Sequence, residues 1–270
     1  MSAFSTAGSD ADGPISVLPL TGERTVPGLE RENYWFRRHE VVYQRLAHRC
    51  AGRVVLEAGC GEGYGADLLA EVAAHVIGLD YDAATVAHVR ARYPRVDIRH
   101  GNLVDLPLAD ASVDVVVNFQ VIDHLWDQEK FIAECLRVLR PGGQLLVSTP
   151  NRITFTPGSD TPVNPFHTRE LNAAELTELL TDGGFGLSAM YGVFHGPRLA
   201  ELDARHGGSI IDAQISRALA DEPWPAELLA DVASVRTEDF DLIRCDEDDR
   251  DRDGHNIDDS LDLVAIAVRP

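Results

Sequence analysis

The apolar run Val54-Val55-Leu56 ends in an acid, Glu57, and opens at once into Ala58-Gly59-Cys60-Gly61-Glu62-Gly63. Three β-favouring residues followed by alternating glycines read as a buried strand entering a tight turn, with a helix expected over 64–76. Glycines remove the Cβ atoms that would hold a ligand off the backbone, and the helix start presents unpaired N–H groups. The turn predicts an α/β fold with a nucleotide at the strand ends. Glu57 narrows that nucleotide. A carboxylate would repel a dinucleotide pyrophosphate but attract the ammonium of an amino-acid moiety, so S-adenosylmethionine fits better than NAD.

A second strand, Val76-Ile77-Gly78-Leu79-Asp80, also ends in an acid. It follows the glycines by about 20 residues, the spacing at which a carboxylate accepts both ribose hydroxyls. Gly59, Gly61, Gly63, Asp80 and the adjoining Tyr81 join Glu57 as expected cofactor contacts. Gly61-x-Gly63-x-x-Ala66 also satisfies a loose dinucleotide pattern, which keeps an NAD-dependent oxidoreductase as a competing class.

A net charge of −20 over 270 residues argues against nucleic-acid backbones and anionic membrane surfaces as partners. Cys50, Cys60, Cys135 and Cys245 are scattered without metal-ligand or disulfide spacing, and no apolar run reaches spanning length. A cytoplasmic protein without membrane insertion is expected, and its oligomeric state is open. Residues 1–14 read as a disordered tail and 15–50 as an N-terminal cap, in which Tyr34-Trp35-Phe36-Arg37-Arg38-His39 either covers the cofactor or anchors aromatics in the core. Residues 51–270 form the main domain. Strands are expected at 96–99, 113–119, 144–148, 187–194 and 261–268. A helix through Phe131 and Leu139 should stop at Pro141-Gly142-Gly143, and Asn172 with Glu175 should cap another. An insertion at about 197–259 carries expected helices at 210–219 and 226–235 and an acidic run at 246–253.

These residues resemble the class I S-adenosylmethionine-dependent methyltransferases over 54–270. The match rests on the glycine turn, Asp80, Asp105-Leu106-Pro107 with Val113-Asp114, and Leu139-Arg140-Pro141-Gly142-Gly143. The resemblance implies a Rossmann-like, mostly parallel seven-stranded sheet with its last strand antiparallel. It also implies adenine contacts near Asn102 and Leu103, with Gln120 and Arg38 as further cofactor contacts. Gly22-Glu23-Arg24-Thr25-Val26-Pro27 and Gly61-Glu62-Gly63-Tyr64-Gly65 resemble methyltransferases found with glycosyltransferases that act on sugars. The chain, especially 32–43, 119–127, 151–171 and 195–214, resembles mycobacterial methyltransferases linked to methylglucose lipopolysaccharide synthesis. That implies O-methylation of an α-glucan hydroxyl at the 6-position; a phenolic, quinone-like or lipid acceptor is the alternative.

Methyl transfer to a hydroxyl is an in-line displacement in which a base takes the proton as the bond forms. Ligands sit beyond the carboxyl ends of the parallel strands. His124, directly after strand four, is the leading base, oriented by Asp123 or Asp127. His167, after strand five, is second and Asp123 third, while His195 is expected to touch substrate. Quinone-pathway relatives bind a metal through acid-x-x-acid-His here. Gln120 replaces the first acid, so no metal is expected unless Asp127 supplies the charge. Arginines and histidines with few pocket aromatics favour a polyol acceptor.

Overall fold

The computed structural model describes residues 24–159, 161–220, 222–245 and 255–270. The expected tail, Gly22-Glu23 and the acidic run lie outside the described residues. Strands β1 (Val54–Ala58), β2 (His75–Asp80), β3 (Asp97–His100), β4 (Val113–Phe119), β5 (Leu139–Pro150), β6 (Gly186–His195), β7 (Phe240–Arg244) and β8 (Asp262–Val268) form a single sheet. Their order is β3-β2-β1-β4-β5-β8-β6-β7. The central strands are nearly unbroken runs of Val, Leu and Ile because helices cover both faces, as a parallel sheet requires. β1 pairs in parallel with β2 and β4, and β4 with β5; β8 runs antiparallel to β5 and β6.

The seven expected strands are all present, and β7 adds an eighth. It lies antiparallel on β6 at the sheet edge, with Gly192 opposite Ile243. Its residues are mostly half-buried, so neither a continuous apolar run nor clean alternation announced it in the sequence. Helix α1 (Asn33–Leu46) precedes the sheet, and α2 (Tyr64–Leu69) follows the glycine turn. α2 ends seven residues short of the expected helix. Gly52 N–H takes the Val72 carbonyl at 2.9 Å, and β2 starts at His75 opposite Val54, so the chain must turn before then. α3 (Ala83–Arg92) and α4 (Gln128–Val138) follow. α4 stops before Pro141, because Leu139 already pairs with Val113 across a register shift in β5.

α5 (Arg152–Phe155) is one short turn, and α6 (Ala173–Asp182) carries the expected Asn172–Glu175 capping box. The insertion holds α7 (Pro197–Arg205), α8 (Ile210–Leu219) and α9 (Ala226–Ser234). α7 had a legible start in Gly196-Pro197, since proline at the first helical position loses no hydrogen bond. Among the described residues no helix is long and apolar enough to cross a membrane.

α1 anchors aromatics in the core and also borders the strand ends. Tyr34, Val41, Val42 and Leu46 are buried, while Trp35, Arg38, His39 and Tyr43, spaced at one helical face, border a cavity at the strand ends. Asn33 ties α1 to the end of α9 through the Val232 and Val235 carbonyls, at 3.0 and 2.8 Å. Tyr43 packs its ring on the first turn of α2, where a Cβ on Gly65 would lie 2.3 Å from the ring. Gly65→Ala is therefore expected to cost roughly 1–3 kcal/mol of stability by overpacking, read as a lower denaturant midpoint.

Candidate active site

The cavity at the carboxyl ends of β1, β2, β4 and β5 measures about 1020 Å³. A pocket for a drug-sized ligand spans roughly 300–1,000 Å³, so this one stands at the upper end of that range. Of the residues expected to contact cofactor or act in catalysis, all but Glu57 and Gly63 line it.

One half is built from the glycine turn. Gly59 holds φ +85°, and a Cβ there would stand 2.6 Å from Val121, so the turn meets the loop after β4 only because it is glycine. Asp80 is 7% exposed. Its Oδ2 accepts from Gly61 N–H and its Oδ1 from Asp82 N–H, both at 2.9 Å. Burial pushes this carboxyl above its usual range, opposed by those two N–H groups. The acid is thus positioned before any ligand arrives. Tyr81, 65% exposed, Asn102 and Leu103 continue the same wall. Cys60, in the turn, is buried, and burial drives its thiol far above the usual range; it is a packed residue and no nucleophile.

Glu57 lies beneath the turn, 1% exposed. Tyr43 donates its hydroxyl to Oε1 at 2.5 Å, and Oε2 has no partner among the described residues. Burial raises the carboxyl from 4.5 to about 8. The folded chain then keeps a proton that the unfolded chain releases above 4.5. Wild-type stability relative to Glu57→Gln is expected to fall as pH rises from 4.5 to about 8 and to level off above; denaturant midpoints across that window check it. Gly63 starts α2 at φ +97°, and a Cβ there would meet Val89 and Tyr93, so its contact is with packing rather than with the cavity.

The other half is made by two loops. After β4 the chain passes Gln120, a non-glycine residue at φ +58°, and enters a short 3-10 turn, Ile122–His124. Backbone strain of this kind collects at functional sites. The loop after β5 returns alongside. Thr168 stitches the two, donating its N–H to the Asp123 carbonyl at 2.7 Å and its hydroxyl to the Leu125 carbonyl at 2.7 Å. Asp123, His124 and His167 are thereby assembled, each offering one ligand atom within 4.8 Å of the others.

Asp123 is 1% exposed, and neither carboxylate oxygen has a hydrogen-bond partner among the described residues. Its Oδ2 lies 3.0 Å from His167 Nε2 and 3.6 Å from His124 Nε2. His124 Nδ1 is 3.1 Å from the Phe166 carbonyl, which can only accept, so Nδ1 is the donor. His167 Nδ1 bonds Glu170 Oε1 at 2.7 Å. Asp127, by contrast, caps α4 through Lys130 N–H and stands outside the trio.

Arg38 is buried in a bidentate ion pair with Asp262, at 2.7 and 2.6 Å, yet borders the cavity. Its NH1 has no partner among the described residues, which leaves a donor for a ligand. His195 does not line the cavity. It bridges Tyr34 and Asp203 at 2.6 Å each, a link between α1, β6 and α7, and the expected substrate contact gives way to this packing role.

Sequence reasoning missed two titratable groups. His39 lines the cavity, and burial, opposed by Asp262 and reinforced by Arg38, lowers its imidazole to about 4. Burial raises Glu32, also in the lining, to about 7. Both come from the cap, whose approach to the strand ends is not written in local pattern. The aromatic content was also underestimated: Trp35, Tyr43, Phe119, Trp126, Phe155 and Phe166 all border the cavity.

Residues 56–147 match the model of a family described as a methyltransferase domain. The chain is 78% identical over 262 residues to a probable S-adenosylmethionine-dependent methyltransferase of Mycolicibacterium smegmatis, covering 97% of this chain and 99% of that one. It is 34% identical over 112 residues to a ubiquinone biosynthesis O-methyltransferase of Rhizobium etli, covering 40% of this chain and 45% of that one. In fold it is similar to a SAM-dependent methyltransferase of Thermotoga maritima, with TM-score 0.58 at 18% identity over 87% of this chain and 93% of that one. With its glycine turn, poised Asp80 and Rossmann-like sheet, the chain belongs to the S-adenosylmethionine-dependent methyltransferases.

Proposed function

We propose that this enzyme transfers the methyl of S-adenosylmethionine to a hydroxyl oxygen of a sugar, with the 6-oxygen of an α-glucan as the acceptor. The observation that carries this reading is a cavity holding a nucleotide half, Gly59 to Asp80, and a polar half, Asp123, His124 and His167, side by side. The cofactor supplies the activated methyl; the chain aligns the acceptor and receives its proton. The Asp123–His124–His167 trio seats the hydroxyl and offers the groups that receive its proton.

A sugar presents apolar C–H faces and hydroxyl edges. Trp126, 91% exposed, and Phe166, 41% exposed, offer flat apolar surface at the cavity's edge, while Arg38, Asn164 and Gln214 offer polar contacts within it. The net charge of −20 disfavours an anionic acceptor. The aromatic lining also favours a second reading, a phenolic or quinone-like acceptor, as the name of the Rhizobium relative suggests. A methyl-transfer assay on α-glucose oligomers beside catechols, phenols and fatty acids separates them. Turnover on the oligomers is expected; turnover confined to phenols would replace the sugar reading.

A further inference from the structure

We propose that Glu32, Gln214 and the rings of Trp35 and Trp224 form a second sugar subsite in the cavity, which holds the glucose unit next to the one that is methylated. The proposal rests on the sugar reading of the acceptor and deepens it: a glucose oligomer, rather than a single glucose, is the preferred acceptor.

The cavity has a third wall that neither the glycine turn nor the Asp123–His124–His167 trio supplies. It is made by the 3-10 turn Glu30–Glu32, by Trp35 on α1, by Gln214 and Ala218 on α8, and by Trp224 in the connection to α9. Gln214 and Ala218 stand about one helical turn apart, so one face of α8 meets the cavity. All of these pieces come from the cap and the insertion rather than from the sheet. Rings join the wall to the trio: Trp35 meets Phe155 edge-on at 6.3 Å between centroids, and Phe155 lies against His167 at 5.5 Å. A molecule seated at the trio therefore extends along this wall.

The wall offers hydrogen-bond acceptors and flat rings. The Glu32 side chain lines the cavity and makes no hydrogen bond or ion pair among the described residues. Burial alone raises its carboxyl to about 7. Gln214 is 2% exposed; its amide nitrogen donates to the Ile210 carbonyl at 3.0 Å, and its Oε1 has no partner among the described residues. Buried acceptors without donors are costly and call for an explanation. A ligand rich in hydroxyls supplies the donors, while the two indole rings offer apolar surface to its C–H faces.

Other occupants fit this wall less well. An acyl chain would leave both acceptors unmet, and a phenol carries too few hydroxyls to serve the wall and the trio together. A cationic amine would meet Glu32, but guanidinium groups already lie over both rings, Arg31 on Trp224 at 5.7 Å and Arg38 on Trp35 at 5.4 Å, and would repel it. An anion would face the Glu32 carboxyl. A neutral polyol meets none of these objections.

The test is saturation kinetics with an α-linked glucose trisaccharide beside methyl α-glucoside. Wild-type kcat/KM should favour the trisaccharide by about 10-fold or more, the worth of a hydrogen bond to a charged group. Glu32→Ala should remove most of that preference by raising the trisaccharide's KM, with a far smaller change in kcat. Glu32→Gln keeps a carbonyl acceptor in place and should recover most of the preference, and Gln214→Ala should lower it as Glu32→Ala does. Calorimetry with S-adenosylhomocysteine, expected to match wild type in each variant, shows that they are folded. Preference retained in both alanine variants overturns the subsite. So does a loss that falls equally on both sugars through kcat, which marks a displaced cap, and so does a wild type that accepts both sugars equally well. Methylation of phenols and of no sugar would end the sugar reading and the subsite with it. Methylation of the trisaccharide with an unaltered Glu32→Ala preference would end the subsite alone.

Discussion

His124→Ala is expected to lower kcat by about 10²–10⁴-fold while S-adenosylmethionine affinity stays near wild type. The geometry explains both halves. His124 lies 3.6 Å from Asp123 and makes no bond to Asp80, which is held by Gly61 and Asp82, so its loss should spare the cofactor. Its ring also stacks edge-on to His167 at 4.9 Å between centroids, and both imidazoles share the same carboxylate. Groups that act as a unit are non-additive, so the His124→Ala/His167→Ala double variant should be scarcely slower than either single one. Steady-state kinetics on all three variants decide this. Singles at wild-type rate would remove the trio from the chemistry, and multiplied losses in the double would show two independent roles.

Asp80→Ala is expected to weaken the cofactor by roughly 1.5–3 kcal/mol, the range for hydrogen bonds to a charged group, or about 10- to 150-fold. The carboxylate has two duties in the structure. It fixes Gly61 and Asp82 through their N–H groups, and it presents its remaining lone pairs to the cavity. The alanine variant loses both, so the upper part of the range is expected. Calorimetry with S-adenosylhomocysteine gives the number; unchanged affinity in a folded variant would contradict the placement of the ribose.

Where local chemistry dictated structure, the sequence was legible. Val113–Phe119 and Ile210–Leu219 stand at the expected bounds, because a valine-rich run and a capped amphipathic run each have one low-energy outcome. Asp80 and the trio of Asp123, His124 and His167 were readable because strand-end residues of parallel sheets share one rim. Other features depend on distant contacts. β7 exists only because β6 offers an open edge, and α2 is short because β1 and β2 set where the turn must fall. His39 and Glu32 enter the cavity through the docking of α1, and their shifts come from burial that no local window encodes. The bond from Tyr43 to Glu57 Oε1 joins residues fourteen apart, which no local pattern announces.

Transfer of the methyl of S-adenosylmethionine to a hydroxyl oxygen of a glucan is tested by incubating the enzyme with cofactor labelled at the methyl carbon and with α-glucose oligomers, followed by carbon NMR of the recovered sugar. One enriched methyl-ether signal is expected, on the 6-oxygen, formed in step with S-adenosylhomocysteine. Cofactor that binds tightly while no oligomer, at any hydroxyl, acquires the label would contradict it.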